Sequence, residues 1–367
     1  MSGSRGRLTI WLASAMLAVM GGALWVWLGV PVYPDVQTAD SDCRAEVSRD
    51  TDKHGFKVMS FNVQFMAGKD YVFFFDMDGG PDVRPSEQSI DLTLDRVAAL
   101  IRDENPDAVL LQEVNDGNDV RTHYRDQIKA LQQRLGDAAF PCVASAYYWQ
   151  ADYIPHPKIN GPVGMQLVTL SRHPIVSADR YQLPRMPMDP VSQHFYFQRA
   201  LLEARIEYQG KTVALLNTHF DAWADGTGVL RQQLAVVQAR VKELEQHNIP
   251  WVAGGDFNML PPDGGLQLAS IEQAGTGSFE QPTAIKPLYD RYGAIPSLED
   301  LRSARVANWY THFPNDTRVT GPDRTIDYLF YSSDWQLLHS HVRQRDTLEV
   351  SDHLPVVGVF SMGAVEP

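Results

Sequence analysis

Trp251-Val252-Ala253-Gly254-Gly255-Asp256-Phe257-Asn258 reads as a short buried strand that ends in polar side chains. Four further stretches repeat that form: Val58-Met59-Ser60-Phe61-Asn62, Val109-Leu110-Leu111-Gln112-Glu113, Leu215-Leu216-Asn217-Thr218-His219, and the closing pair Ile326-Asp327-Tyr328 with Ser351-Asp352-His353. Short apolar runs rich in Val, Leu and Ile, each closed or opened by a polar residue, are the pattern of strands inside a sheet. Polar residues at the ends of several such strands converge on one rim. There an Asn, a Glu, two Asp and two His would form a site for a hard cation, with proton-transfer groups beside it.

Helical spacing separates these strands. Leu92 to Ile101 places apolar residues on one face and stops at Asn105-Pro106. Gln127 to Leu135 and Leu230 to Leu244 repeat the pattern, and Tyr208-Gln209-Gly210-Lys211 marks a hairpin. Strands alternating with helices predict an α/β fold, and the hairpins make its sheet mixed. Residues 68–89 form an insertion carrying Tyr71-Val72-Phe73-Phe74-Phe75, and the Pro- and Gly-rich residues 261–296 read as loops at the mouth of the site.

The chain has 367 residues, 44% of them hydrophobic and 21% charged, which suffices for a full core. The net charge is −13. Duplex-binding proteins show the opposite balance, because neutralising phosphates supplies most of their affinity. Leu8 to Val30 carries only Thr9 and Ser14 as polar side chains. Twenty-three residues in a helix span about 34 Å, against about 30 Å of bilayer core. Trp11 at one end and Trp25 and Trp27 at the other suit interfacial belts, and Arg5 and Arg7 before the run predict a body outside the cytoplasmic membrane. In a host with two membranes that is the periplasm. The alternative is a cleaved signal peptide and a secreted body; against it, the run is long and Gly29-Val30-Pro31-Val32-Tyr33 is a poor cleavage site. This divides the chain into an anchor over 1–34, a polar linker over 35–55 and one domain over 56–362. Cys43 and Cys142 either form one disulfide or stay separate thiols.

The five segments, in this order from Lys57 to Phe360, resemble the endonuclease/exonuclease/phosphatase superfamily of metal-dependent phosphoesterases. The chain departs from that pattern at Gln166-Leu167-Val168-Thr169-Leu170-Ser171, where the family usually has a small pair before the strand. The resemblance implies a four-layer α-β-β-α sandwich of two mixed sheets. It implies Glu113 as principal ligand of a divalent ion, with Asn62 contributing its amide oxygen and Asp352 serving the metal shell. Oxygen-only ligands suit Mg²⁺, with Mn²⁺ as an acceptable substitute. By the same resemblance Asp256 orients or deprotonates the attacking water, and Asn258 bonds a phosphoryl oxygen or the metal shell. Asp327 pairs with His353 at the scissile phosphate, and His219 stabilises developing charge or protonates the leaving oxygen.

The implied activity is a phosphodiesterase acting by direct attack of water. A tether and an acidic body favour a lipid head group or other small phosphoester over polymeric nucleic acid. A tethered or secreted endonuclease is one alternative, and a catalytically silent binding protein is another. Arg199 reads either as a phosphate contact or as half of a surface salt bridge. The aromatic clusters Tyr71 to Phe75, Tyr147-Tyr148-Trp149 and Trp309-Tyr310 read first as core, and second as the lining of a lipid pocket.

Overall fold

In the computed structural model, residues 2–44, 55–76, 79–136, 138–262, 279, 282–316 and 319–363 are described, with backbone alone for residues 2–10. Among the described residues, fourteen strands form two seven-stranded sheets. They are β1 (Val36–Thr38), β2 (Asp40–Cys43), β3 (Phe56–Asn62), β4 (Ala108–Asn115), β5 (Cys142–Ile154), β6 (Gly161–Ser171), β7 (Ile175–Gln182), β8 (Ala200–Tyr208), β9 (Lys211–His219), β10 (Trp251–Asp256), β11 (Gly293–Ile295), β12 (Asp327–Tyr331), β13 (Trp335–Val342) and β14 (Val356–Met362). One sheet runs β1-β7-β8-β9-β10-β12-β11 and the other β13-β14-β3-β4-β6-β5-β2. The pairs β9/β10 and β3/β4 are parallel and the remaining pairs antiparallel, so both sheets are mixed.

Period-two alternation explains the layering, since successive side chains leave opposite faces of a strand. From β4, Ala108 and Leu110 join Val213 and Leu215 of β9 and Val252 of β10 in the core between the sheets. Val109 and Leu111 turn outward to Leu94, Val97 and Ile101 of α2 (Glu87–Glu104), following the helix α1 (Ser2–Leu28) described below, and to Leu131 of α3 (Gln127–Leu135). On the other sheet Leu216, Trp251 and Ala253 turn outward to Leu234, Val237 and Val241 of a helix spanning Val229–Gln246. The result is the expected four-layer α-β-β-α sandwich in a single domain. Asn105 ends α2 in a left-handed conformation, and Gln209-Gly210 turns the β8–β9 hairpin with both φ angles positive, as a two-residue turn requires.

Packing requires glycine at positions 254 and 255. A Cβ on Gly254 would lie 2.6 Å from Leu329 Cδ2, and one on Gly255, at φ 148°, would lie 1.9 Å from Thr218 O of the neighbouring strand.

The segment read as a linker over 35–55 carries strands at an edge of each sheet. Val36–Thr38 pairs with β7 and Asp40–Cys43 with β5, and Cys43 is bonded to Cys142 directly across the ladder. Their side chains are mostly exposed, so backbone hydrogen bonds rather than apolar burial hold them. Residues 45–54 of that segment lie outside the described residues. The crosslink spans 99 residues of sequence. Cys142→Ser is expected to lower unfolding free energy by about 2–4 kcal/mol through a less constrained unfolded chain. Chemical denaturation with and without reductant measures this, and an unchanged midpoint would refute it.

Helix α1 has a window, Trp11–Leu28, long and apolar enough to cross a membrane, and none of it is buried against the body. By length and composition it is a candidate span or a signal sequence.

Candidate active site

Strand register assembles one half of the site. Asp256, the last residue of β10, lies opposite Asp327 of β12 on one side and His219 of β9 on the other. Asn62 ends β3 in the facing sheet, beside Gln112 of β4. Beneath them Gln112 Nε2 donates to Asn217 Oδ1 at 2.7 Å, and Asn217 Nδ2 donates to the carbonyls of Leu111 and Val168. This buried polar bridge ties the sheets together under the site and fulfils the amide's donors.

Backbone irregularities aim the remaining groups. The ladder between β4 and β6 slips between Leu111 and Val114, and Glu113 sits in that bulge at φ 58°. A bulge re-aims a side chain that regular alternation would send elsewhere. Gln64, Phe65 and Met66 follow Asn62 with φ of 44°, 39° and 59°, and Asn258 has φ 49°. Left-handed backbone at non-glycine residues, clustered around one cleft, marks strain held by the surrounding structure.

The polar groups converge on Asp256. Its Oδ2 accepts from Asn62 Nδ2 at 3.2 Å and lies 3.2 Å from His219 Nε2 and 3.6 Å from His353 Nε2. His353 Nδ1 lies 3.0 and 2.9 Å from the two oxygens of Asp327, which sets Nε2 toward the centre. Ser351 Oγ donates to the Asn62 carbonyl and accepts from His353 N–H, fixing the loop to β3. Burial by itself would lower the His353 pKa, but the charges of Asp327, Asp256 and Asp352 outweigh it and push it up to about 10. Burial raises Asp256 to about 7 despite the opposing charge of His353. Burial, then Arg199 and His353, keep His219 well below its usual value and therefore neutral. With its Nδ1 3.3 Å from the Tyr148 hydroxyl, His219 suits the tautomer that donates from Nε2 to Asp256.

Asn62 Nδ2 also donates to Glu113 Oε1 at 3.1 Å, while Asn62 Oδ1 accepts from Gln64 N–H at 3.0 Å. The amide nitrogen, rather than the oxygen expected as a ligand, thus faces Glu113. Asp352 accepts from Gln64 Nε2 at 3.0 Å, and Asn315 braces Gln64 in turn. Asn258 donates its amide to the Phe220 carbonyl and its backbone N–H to Asp256 Oδ1, so it closes the turn after β10. Burial first, and then the charge of Asp352, raise the pKa of Glu113. Asp76 is raised well above its usual value by burial, and then by the charges of Asp352 and Glu113. Mutually repelling carboxylates around one cavity are the donor set that a hard divalent cation relieves. Ligand atoms of His312, Asp352 and His353 lie within 4.8 Å of one another, as do those of Asp256, Asp327 and His353.

All eight predicted residues lie in this cleft, and six of them line a cavity of about 430 Å³: Glu113, His219, Asp256, Asn258, Asp352 and His353. Its other side is aromatic, formed by Phe65, Phe75, Trp149, Tyr196, Phe197 and Trp223. The expectation that the aromatic clusters are core holds for Phe73, Tyr148, Trp149 and Tyr310; Trp149 also lines the cavity, as do Phe74 and Phe75. Arg199 is not on the surface: it is buried, pairs with Asp221 at 3.1 Å and lies over the Phe197 ring at 4.3 Å. Sequence reasoning missed Gln64, Asp76 and His312. Only Gln64, two residues after Asn62, had a positional cue.

A family model, Endonuclease/Exonuclease/phosphatase family, matches residues 59–353. The chain belongs to this family. Its members are hydrolytic phosphoesterases. Among solved structures, the fold is similar to an endonuclease/exonuclease/phosphatase from Beutenbergia cavernae DSM 12333, at 23% identity and TM-score 0.56, over 85% of this chain and 72% of that one. It is similar to the human Nocturnin catalytic domain with bound sulfate anion, at 19% identity and TM-score 0.52, over 89% and 97%. A family protein from Leptotrichia buccalis C-1013-b aligns at 15% identity and TM-score 0.52, over 84% and 100%. At these identities the likeness concerns the fold alone. No curated protein matches the chain.

Proposed function

We propose that this protein is a Mg²⁺-dependent phosphodiesterase that hydrolyses a lipid head group or other small phosphoester by direct attack of water. One observation carries the reading: the Asp256 carboxylate is held between His219, Asn62 and His353, with Glu113 and Asp352 opening onto the same cavity. Glu113 and Asp352 would hold the ion. Bound there, the ion would supply positive charge to the phosphoryl oxygens. Asp256 orients the water and takes its proton, and its pKa of about 7 matches a base working near neutrality. His353, kept as imidazolium by Asp327, faces the charge that develops on the phosphoryl group and gives its proton to the leaving oxygen. His219, being neutral, positions Asp256 rather than serving as the acid. Asn258 holds the turn that presents Asp256.

The aromatic side of the cavity supports an apolar moiety beside the phosphate, and the net charge of −13 disfavours a polyanionic strand. Purified protein is expected to hydrolyse bis(p-nitrophenyl) phosphate and vesicle phospholipids with Mg²⁺ or Mn²⁺, and to lose all turnover in EDTA. Activity surviving EDTA would overturn metal dependence. Rapid, salt-sensitive nicking of plasmid with inert lipids would replace the lipid reading by an endonuclease.

We also propose that α1 is an uncleaved anchor with the body on the extracytoplasmic side. Alkaline phosphatase fused after Phe360 should then be active. Release of native protein by carbonate would instead mean that the helix had been removed.

A further inference from the structure

The last turn of α1 is clamped to the body. The Trp27 ring stacks on His194, with centroids 3.7 Å apart and planes at 5°, and His194 Nε2 lies 2.8 Å from the Trp27 carbonyl. Asp152 N–H donates to the Gly29 carbonyl at 2.9 Å, and Gln198 Nε2 donates to the Pro31 carbonyl at 2.8 Å. Tyr33 lies 3.9 Å from the Arg180 guanidinium and donates to Gln150 Oε1, after which the chain enters β1. The apolar helix therefore meets the body at a defined place, which is the short helix Pro190–Phe195.

That short helix is also a wall of the cavity. Tyr196, Phe197 and Arg199 follow it and line the cavity, and Trp149, another lining residue, donates its indole N–H to the Phe195 carbonyl at 2.9 Å. Where the two segments meet, large apolar side chains face outward: Trp27 is 40% exposed, Leu28 71%, Val32 81%, Met188 42% and Val191 59%. Single exposed apolar residues need no explanation, but a set gathered at the end of an uncovered apolar helix does. If Trp11–Leu28 occupies the hydrocarbon core, Trp27 falls in the interfacial belt and His194, stacked on it, shares its depth. Phe197 is then within about 10 Å of chain of the same plane.

We propose that Met188 and Val191, together with Trp27, Leu28 and Val32, form a lipid-contacting surface that seats the mouth of the cavity at the membrane–water interface. The site thereby receives the phosphoester of a membrane lipid without lifting the lipid from its bilayer. The surface rests on the reading of α1 as a retained anchor, and the substrate on the phosphodiesterase reading. A bilayer is favoured over a protein partner because Trp27 and Leu28 belong to the apolar window Trp11–Leu28, none of which is buried inside the body.

Two measurements on the full-length protein in phosphatidylcholine–phosphatidylglycerol vesicles test this. Val191→Cys, labelled with the environment-sensitive fluorophore NBD, is expected to give blue-shifted emission in vesicles, since Cys43 and Cys142 are bonded to each other and do not compete for label. Met188→Asp/Val191→Asp is expected to cut vesicle lipid hydrolysis at least about tenfold while leaving bis(p-nitrophenyl) phosphate turnover within about twofold, because only interfacial seating loses apolar contact. Emission matching that of the label in water, a vesicle rate unchanged in the double variant, or an equal loss on both substrates overturns the proposal. If the wild type hydrolyses neither substrate with Mg²⁺, the phosphodiesterase reading fails and the fluorescence result still decides the surface. Failure of the anchor reading shows separately, as release by carbonate.

Discussion

Glu113→Gln is expected to reduce phosphodiester hydrolysis by about 10³-fold or more, the upper range for losing one charge-stabilising group in a water-excluded site. The substitution keeps side-chain volume and removes a charge that burial and Asp352 already disfavour. Without metal, the variant should melt no lower than the wild type, because a repulsion has been removed. With metal, the two should diverge. An ion bound only by the folded state adds about 2.7 kcal/mol of stability at a hundredfold excess over Kd. The wild type should show that gain in thermal melts with Mg²⁺, and Glu113→Gln should show little of it. A variant that keeps a tenth of the wild-type rate, or gains equally from Mg²⁺, would remove Glu113 from the metal set.

His353→Ala is expected to lose about 10²- to 10⁴-fold in rate, the range of a positioned proton donor. The pH profile adds a test that folding defects do not mimic. Asp256 must be ionised to accept a proton, so the rate should rise as pH passes through about 7. His353 must be protonated to donate one, so the rate should fall as pH approaches about 10. Burial alone lowers His353, and Asp327 is the foremost of the carboxylates that reverse this. Asp327→Asn should therefore move the alkaline limb to lower pH, beyond any loss in maximal rate. Profiles measured from pH 5 to 11 on bis(p-nitrophenyl) phosphate decide the matter. An alkaline limb in the same place in Asp327→Asn would break the link between the two residues. Near-UV circular dichroism of each variant establishes that it is folded.

The local sequence was enough to read the strands that carry the site. In β3, β4, β9 and β10 a short apolar run is followed at once by a polar group, because strands buried on both faces exclude polar side chains until they reach the rim. The helix over Gln127–Leu135 and the hairpin at Gln209-Gly210 were legible for similarly local reasons, amphipathic spacing and turn chemistry. The edge strands Val36–Thr38 and Asp40–Cys43 were not. Their side chains are polar or exposed and carry no periodic signal, and they exist because β7 and β5 offer free edges.

Which groups act on one another was decided only in three dimensions. No spacing in the chain shows that Glu113 sits in a bulge, that Asn62 turns its amide nitrogen toward it, or that Tyr148 caps His219. His312, Asp76 and Gln64 join the cavity from separate parts of the chain, and Arg199 is drawn inward by Asp221. Sequence alone determined the inventory of carboxylates, amides and imidazoles, since those lie at strand ends that hydrophobic patterning reveals. Tertiary structure decided their protonation and partners, because burial and neighbouring charge arise from residues far apart in the chain and act only once the two sheets have closed.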